Sequence, residues 1–326
     1  MSNITLVEGI NLALARAMED DDRVVVIGED VGINGGVFRA TAGLQQRFGA
    51  ERVADTPLAE GLIAGMAVGM AAEGLRPVAE IQFAGFAYTA IDQILNHAGR
   101  LRHRTQGRLS CPLVLRTPCG AGIHAPEHHS ESPEAMFAHI PGIRVVYPSS
   151  PAKAYGLLLA AIADPDPVVF LEPSRLYRRF KEEVQDDGVP LPLDKAFVVR
   201  EGTDVTIVAW GAMLHESLKA ADELADEGHF AEVIDLATLK PIDFDTVLAS
   251  VKKTGRCVVV TEAPRTASLA SEISANVSEQ ALLSLVAPVE RVTAWDTVTP
   301  MFRLEEHYMP TSGRIAAAAR KVLEYQ

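Results

Sequence analysis

The sequence predicts a two-domain α/β protein with mostly parallel sheets. Short β-branched runs alternate with stretches of helical periodicity along the whole chain. The alternation pauses once, across a charged and proline-bearing stretch, and then restarts. With 326 residues the chain also exceeds what one ordinary core organises.

The elements follow in order. Thr5 and Glu8 have capping-box spacing, and Leu6, Ile10, Leu14 and Ala17 repeat at helical intervals. Asp20 to Asp22 break that helix, and Val24 to Ile27 read as a buried strand. A glycine-rich loop through Gly32, Gly35 and Gly36 leads on to a helix from about Leu58 to Glu73. Val78 to Ile81 is the next strand, Ala90 to Arg100 a helix, and Leu113 to Leu115 a strand. A long loop, Thr117 to Ser132, is rich in Gly, Pro and His. Val145 to Tyr147, Ala152 to Ala163 and Val168 to Leu171 continue as strand, helix and strand. Between Pro173 and Leu193 apolar periodicity fades, which predicts a linker. Beyond it come a strand at Val205 to Trp210, a helix at Glu216 to Leu224 and a strand at Val233 and Ile234. A helix at Phe244 to Val251, a strand at Cys257 to Val260 and a helix at Ile315 to Leu323 complete the set.

Composition excludes several classes. Hydrophobic residues at 48% and charged residues at 22% describe a folding chain rather than a disordered one. A net charge of -13 opposes nucleic-acid binding, which needs clustered Lys and Arg. Three cysteines, Cys111, Cys119 and Cys257, make no disulfide framework and suit a reducing compartment. The N-terminus has no basic region followed by an apolar run, and the most apolar stretch, Gly61 to Ala72, is shorter than the roughly 20 residues of a bilayer span. A cytoplasmic protein, neither membrane-bound nor nucleic-acid-binding, is expected.

Three places can carry chemistry. Glu60 opens a helix in which Gly61, Gly65 and Gly69 share one face. Helical glycines cost roughly 1 kcal/mol each against alanine, so a close approach by another backbone is the expected offset. Glu60 is then either a first-turn carboxylate favoured by the helix dipole or a group facing a ligand at a subunit junction. The loop from Gly120 to Glu131 holds His124, His128 and His129, a clustering that favours proton chemistry over a zinc site, since no Cys or Asp completes a ligand set. Ile81 to Phe86 lies at the carboxyl end of a strand, where open α/β sheets bind ligands. The chain has neither a dinucleotide fingerprint nor a P-loop, which opposes an NAD-linked oxidoreductase and leaves no visible phosphate cradle.

Glu60, Gly65, Met66 and Gly69 are spaced as in the helix motif of thiamine-diphosphate enzymes, which this segment resembles; that motif often continues with Gln where this chain has Met70. The wider sequence is similar to the beta subunit of the decarboxylating component of 2-oxo acid dehydrogenase complexes. The similarity is carried by Gly28 to Gly32, Gly36 to Arg39, Asp55 to Glu60, Leu75 to Val78, His129 and Ser130, Ser132 to Ala135, Pro141 and Gly142, and Ser250 to Arg256. It implies a pyrimidine-type thiamine-diphosphate-binding domain, a doubly wound parallel sheet, at 1–175, a linker at 176–195 and a transketolase-C-like α/β domain at 196–326. It implies an α2β2 heterotetramer whose alpha subunit holds magnesium and the diphosphate, consistent with the lack of a Gly-Asp-Gly motif here. Glu60 would face the aminopyrimidine and favour its imino tautomer, and Leu58, Gln82 and Phe86 would line that pocket. His129, with His124 as a second candidate, would serve the substrate and lipoyl channel, where an imidazole at its ordinary pKa of about 6.5 can donate a proton to a lipoyl sulfur. Leu113, Ala161, Ile162, Asp164 and Asp166 match a structural site for a monovalent cation such as potassium. The implied reaction is oxidative decarboxylation of a 2-oxo acid with acyl transfer to the lipoyl acyltransferase component. Gln82 to Phe86 and His124 to Glu127 resemble chains acting on pyruvate, whereas Ser132 to Ala135 also resembles branched-chain homologues; acetoin is a further alternative.

Overall fold

The computed structural model describes residues 1–325. It contains two compact units, one of Met1–Cys119 with Met136–Leu193, the other of Gly120–Ala135 with the chain from Asp194 onward.

In the first unit six parallel strands lie in the order Arg144–Val146, Val168–Pro173, Val114–Cys119, Arg76–Glu80, Val24–Gly28 and Val53–Asp55. Their β-branched runs are buried on both faces, as a helix-covered parallel sheet requires. The first helix, Leu6–Asp20, opens on the expected Thr5–Glu8 capping box. It packs against helix Pro151–Ala163, which starts at a Ser150 cap with proline in its first turn. A Cβ at Gly9 would lie 2.8 Å from the Pro151 carbonyl oxygen, so only glycine permits this crossing.

The second unit has strands in the order Glu290–Ala294, Cys257–Pro264, Val205–Ala209, Ala231–Asp235 and Phe197–Arg200; the last is antiparallel, the others parallel. Helices Met213–Asp226, Phe244–Thr254, Leu269–Ala281 and Ser312–Leu323 cover it. The predicted α/β class with mostly parallel sheets is what folds.

The helix expected at Ala90 to Arg100 forms, but it starts earlier and is irregular: a 3-10 turn at Phe86–Ala90 runs on into a π-helical stretch at Gln93–Ala98 and an α-helical end at Gly99–Arg104. Part of the expected linker is also built into the first unit. Glu182–Val184 pairs antiparallel with Ser2–Ile4, the Tyr155 hydroxyl donates to Asp186 and accepts from the Gly188 N–H, and Leu191 N–H donates to the Gly156 carbonyl. Backbone pairing and one tyrosine hold this segment, and neither leaves an apolar period in the sequence.

Candidate active site

Glu60 is the first residue of helix Glu60–Ala72 and follows the strand Val53–Asp55 by a short turn. Asp55 fixes the neighbouring loop: its carboxylate accepts from Gly32 N–H at 2.6 Å and Ile33 N–H at 3.3 Å. Glu60 is half-buried, and its one polar partner among the described residues is the Thr89 hydroxyl at 3.5 Å. The single proton of that hydroxyl is placed for the Phe86 carbonyl at 2.9 Å, which leaves the Glu60 contact long and weak. Glu29 lies close enough that burial first, then Asp30 and Glu60, push its carboxyl above the usual range. Gln82 and Phe86 are half-buried, while Leu58 is 67% exposed.

The helix is apolar all round. Ile63, Ala64, Ala67 and Ala71 are buried, but Leu62 and Met66 stand in solvent beside Leu58. The expected backbone approach exists only at Gly61, where a Cβ would meet the Thr89 carbonyl oxygen at 3.4 Å. At Gly65 the neighbour is the Gln93 side chain, and at Gly69 nothing lies within 4 Å. Leu58, Leu62 and Met66 are thus large apolar side chains left exposed at the start of this helix.

Sequence reasoning missed a buried ionic cluster on three adjacent strands, Arg76–Glu80, Val114–Cys119 and Val168–Pro173. Arg116 is 1% exposed; it donates to Glu172 at 2.6 and 3.0 Å and to Glu80 at 2.8 Å, and the Tyr177 hydroxyl donates to Glu172. Burial raises the Glu80 carboxyl despite the guanidinium. The signal was available: Arg116 and Glu172 interrupt apolar strand runs, and a charge at such a position needs a partner.

The histidine loop belongs to the second unit. His124 and His128 are exposed, and His129 is half-buried on a 3-10 turn at Glu127–His129. The His128 and His129 rings lie 4.2 Å apart, centroid to centroid. Burial first, then His128, lowers the His129 pKa below 6.5, so the imidazole is neutral at pH 7. This corrects the expectation of an ordinary pKa. Glu134, at the end of this loop, is fully buried and accepts from Thr261 at 3.0 Å and Trp210 at 3.3 Å. Burial pushes its carboxyl up. Among the described residues no cluster of three or more His, Cys, Asp or Glu could hold a metal.

The residues matched to a monovalent cation lie at the end of one helix and on the segments leading into two paired strands. Ala161 and Ile162 lie in the last turn of helix Pro151–Ala163, whose terminal carbonyls lack helical partners. Arg76 donates to the Ile162 carbonyl at 2.7 Å, and Val168 N–H to the Leu113 carbonyl at 2.9 Å. Asp164 pairs with Arg144 and Asp166 with Arg102. The carboxylates are thus neutralised, and a cation here would rest on the second lone pairs of the carbonyls.

Known proteins bear on this arrangement. The profile of the transketolase pyrimidine-binding domain matches residues 2–179, and that of the transketolase C-terminal domain matches residues 194–315. The beta subunit of the pyruvate dehydrogenase E1 component of Bacillus subtilis is 51% identical over 325 residues, covering 100% of both chains. The subunit of the same name from Acholeplasma laidlawii is 51% identical over 99% of this chain and 98% of its own. A split-gene transketolase, described as an inactive beta4 tetramer, superposes with a TM-score of 0.83 at 26% identity over 99% of each chain. No helix among the described residues is long and apolar enough to cross a membrane. On full-length identity near one half and on both domain matches, the chain belongs to the family of pyruvate dehydrogenase E1 beta subunits.

Proposed function

We propose that this chain supplies the aminopyrimidine side of a thiamine-diphosphate site shared with an alpha subunit in a cytoplasmic α2β2 enzyme. The enzyme would decarboxylate pyruvate oxidatively and pass the acyl group to the lipoyl acyltransferase component. The domain division would follow 1–175 and 196–326. One observation carries the reading: Glu60 stands half-exposed at a helix start, beside Phe86 and exposed Leu58, without an arginine or lysine partner among the described residues. Such a carboxyl is available to a ring nitrogen. The residues present therefore fit the pyrimidine half of the cofactor and not its diphosphate, which together with magnesium would fall to the alpha subunit.

The cofactor supplies a stabilised carbon nucleophile and an electron sink. Glu60 holds a proton at the aminopyrimidine nitrogen and so sets the tautomer of that ring. Leu58, Gln82 and Phe86 position the ring and exclude water from it. His129, neutral at pH 7, hydrogen-bonds substrate or takes a proton during acyl transfer, with His124 in the same channel. Exposed Leu62 and Met66 suit a subunit contact. A potassium ion on the carbonyls of Leu113, Ala161 and Ile162, near Asp164 and Asp166, would be structural. The test is co-purification with the alpha subunit and a thiamine-dependent decarboxylation assay, with pyruvate competing against a branched-chain 2-oxo acid and acetoin. Preference for either competitor would overturn the substrate, and cofactor-independent turnover the whole reading.

A further inference from the structure

The histidine loop is held by a carboxylate far away in sequence. Glu305, at the start of the short helix Glu305–Tyr308, is 2% exposed. Its Oε1 accepts from Gly122 N–H at 2.6 Å and its Oε2 from His124 N–H at 3.3 Å. The same Oε2 lies 3.6 Å from His124 Nε2, and the Phe302 ring sits 6.3 Å from the His124 ring. The backbone it grips is strained: His124 has φ +60°, in the left-handed region that costs a non-glycine residue of order 1 kcal/mol or more. Gly120 and Gly122 on either side of Ala121 have φ of +84° and +96°. Glu262 adds a third anchor, accepting from Ala121 N–H at 3.2 Å, and Gly120 N–H closes the loop on the Glu131 carbonyl at 2.8 Å. Downstream, His129 N–H bonds the Pro126 carbonyl at 2.9 Å, in a 3-10 turn that starts three residues after His124 on the same loop.

We propose that Glu305 is a positioning residue: its two carboxylate oxygens hold the left-handed turn at Gly122–His124 and thereby place His124 and His129 for acyl transfer. A carboxylate suits the task because both oxygens accept and neither donates. Glutamine has the same size but only one accepting atom, so one of the two N–H groups would then face an NH2. The functional half of the proposal rests on the reading of His129 given above, whereas the anchoring half does not.

The experiment uses the assembled tetramer and two readouts for Glu305→Gln. Hydrogen exchange reports anchoring: amides of residues 120–131 should exchange about tenfold faster, in line with one lost charge-assisted bond, with little change elsewhere. Acylation of a lipoyl domain should fall about tenfold through KM, with decarboxylation read by an artificial electron acceptor kept within about twofold. Adding His129→Ala to Glu305→Gln should cost little more than His129→Ala alone, because both act through one element. Unchanged exchange would overturn the anchor. Faster exchange with unaltered acylation, or fully additive losses, would overturn positioning. A wild-type tetramer lacking thiamine-dependent decarboxylation would refute the functional reading instead, and the exchange result would still decide the anchor.

Discussion

Arg116→Met separates the charge of the buried cluster from its shape. Methionine matches the length of the arginine stem and leaves the strand Val114–Cys119 apolar, but it strips the compensation from Glu80 and Glu172. Both carboxyls are buried, at 5% and 0% exposure, so little solvent is at hand to replace the guanidinium. Breaking a buried ion pair from one side costs about 3–5 kcal/mol. For a unit of this size each kcal/mol moves the melting point by about 2–4 °C, so a loss of about 10 °C is expected. The sign of the pH dependence follows from the protons. Glu80 already has its pKa raised above 4.5, chiefly by burial, and losing Arg116 raises it further. The folded state then binds more protons than the unfolded one. Its contribution is fully present below the ordinary glutamate value and is lost as pH rises through the folded pKa. The deficit against wild type should therefore be smaller near pH 5.5 than near pH 8. Differential scanning calorimetry of both proteins at both pH values measures this. A melting point within about 2 °C of wild type at pH 8, or a deficit that grows on acidification, would refute the argument that charge compensation holds these strand ends.

Glu60→Gln should leave assembly intact and lower thiamine-dependent decarboxylation roughly 10²–10⁴-fold, as loss of a general acid–base group does; stopped-flow turnover on the reconstituted tetramer decides, and near-normal rates would return Glu60 to a first-turn helix residue. His129→Ala should impair acylation of a lipoyl domain more than decarboxylation with an artificial acceptor. Because the wild-type imidazole titrates below 6.5, acylation through a neutral His129 should persist at pH 7 and fall as pH drops below that value; a profile flat to about pH 5 would remove the imidazole from the step. The isolated chain should bind thiamine diphosphate weakly and decarboxylate nothing, as calorimetry and a carbon dioxide assay on the purified subunit would register.

Sequence legibility followed the physics of each element. Strands such as Val24–Gly28 and helices such as Leu6–Asp20 were readable because burial and capping leave a periodic or positional mark. Ser2–Ile4, Glu182–Val184 and Phe197–Arg200 were not, because they are three- or four-residue strands, largely exposed, with Val184 the one buried residue among them. Leu269–Ala281 hid behind Ser, Glu and Asn on a helix with only four buried positions. At the site, Glu60 was legible from a local signature, a carboxylate opening a glycine-bearing helix. The link between Glu305 and the histidine loop was not, since some 180 residues separate donor from acceptor and neither end shows a pattern. The Arg116 cluster lay between, visible as charges inside apolar runs but with partners only the strand register could assign.

That register also bears on the partner proposed for this chain. The carboxyl ends of its first-unit strands, where an α/β sheet binds ligands, carry acid: Glu29, Asp30, Asp55 and Glu60 are at least partly exposed, and Glu80 and Glu172 are buried. The guanidinium among them, Arg116, is buried and spent on Glu80 and Glu172. The mutual repulsion is already felt at Glu29, whose carboxyl is pushed up first by burial and then by Asp30 and Glu60. A diphosphate brought to this rim would meet like charge with no backbone cradle to offset it, whereas a neutral pyrimidine needs only a carboxyl and apolar walls. The chain's net charge of -13 points the same way. On the proposed function, local electrostatics would favour dividing one cofactor between two subunits: acidic strand ends would suit a ring and repel phosphates, and the exposed apolar residues of the helix beside Glu60 would offer a contact for the chain that takes them.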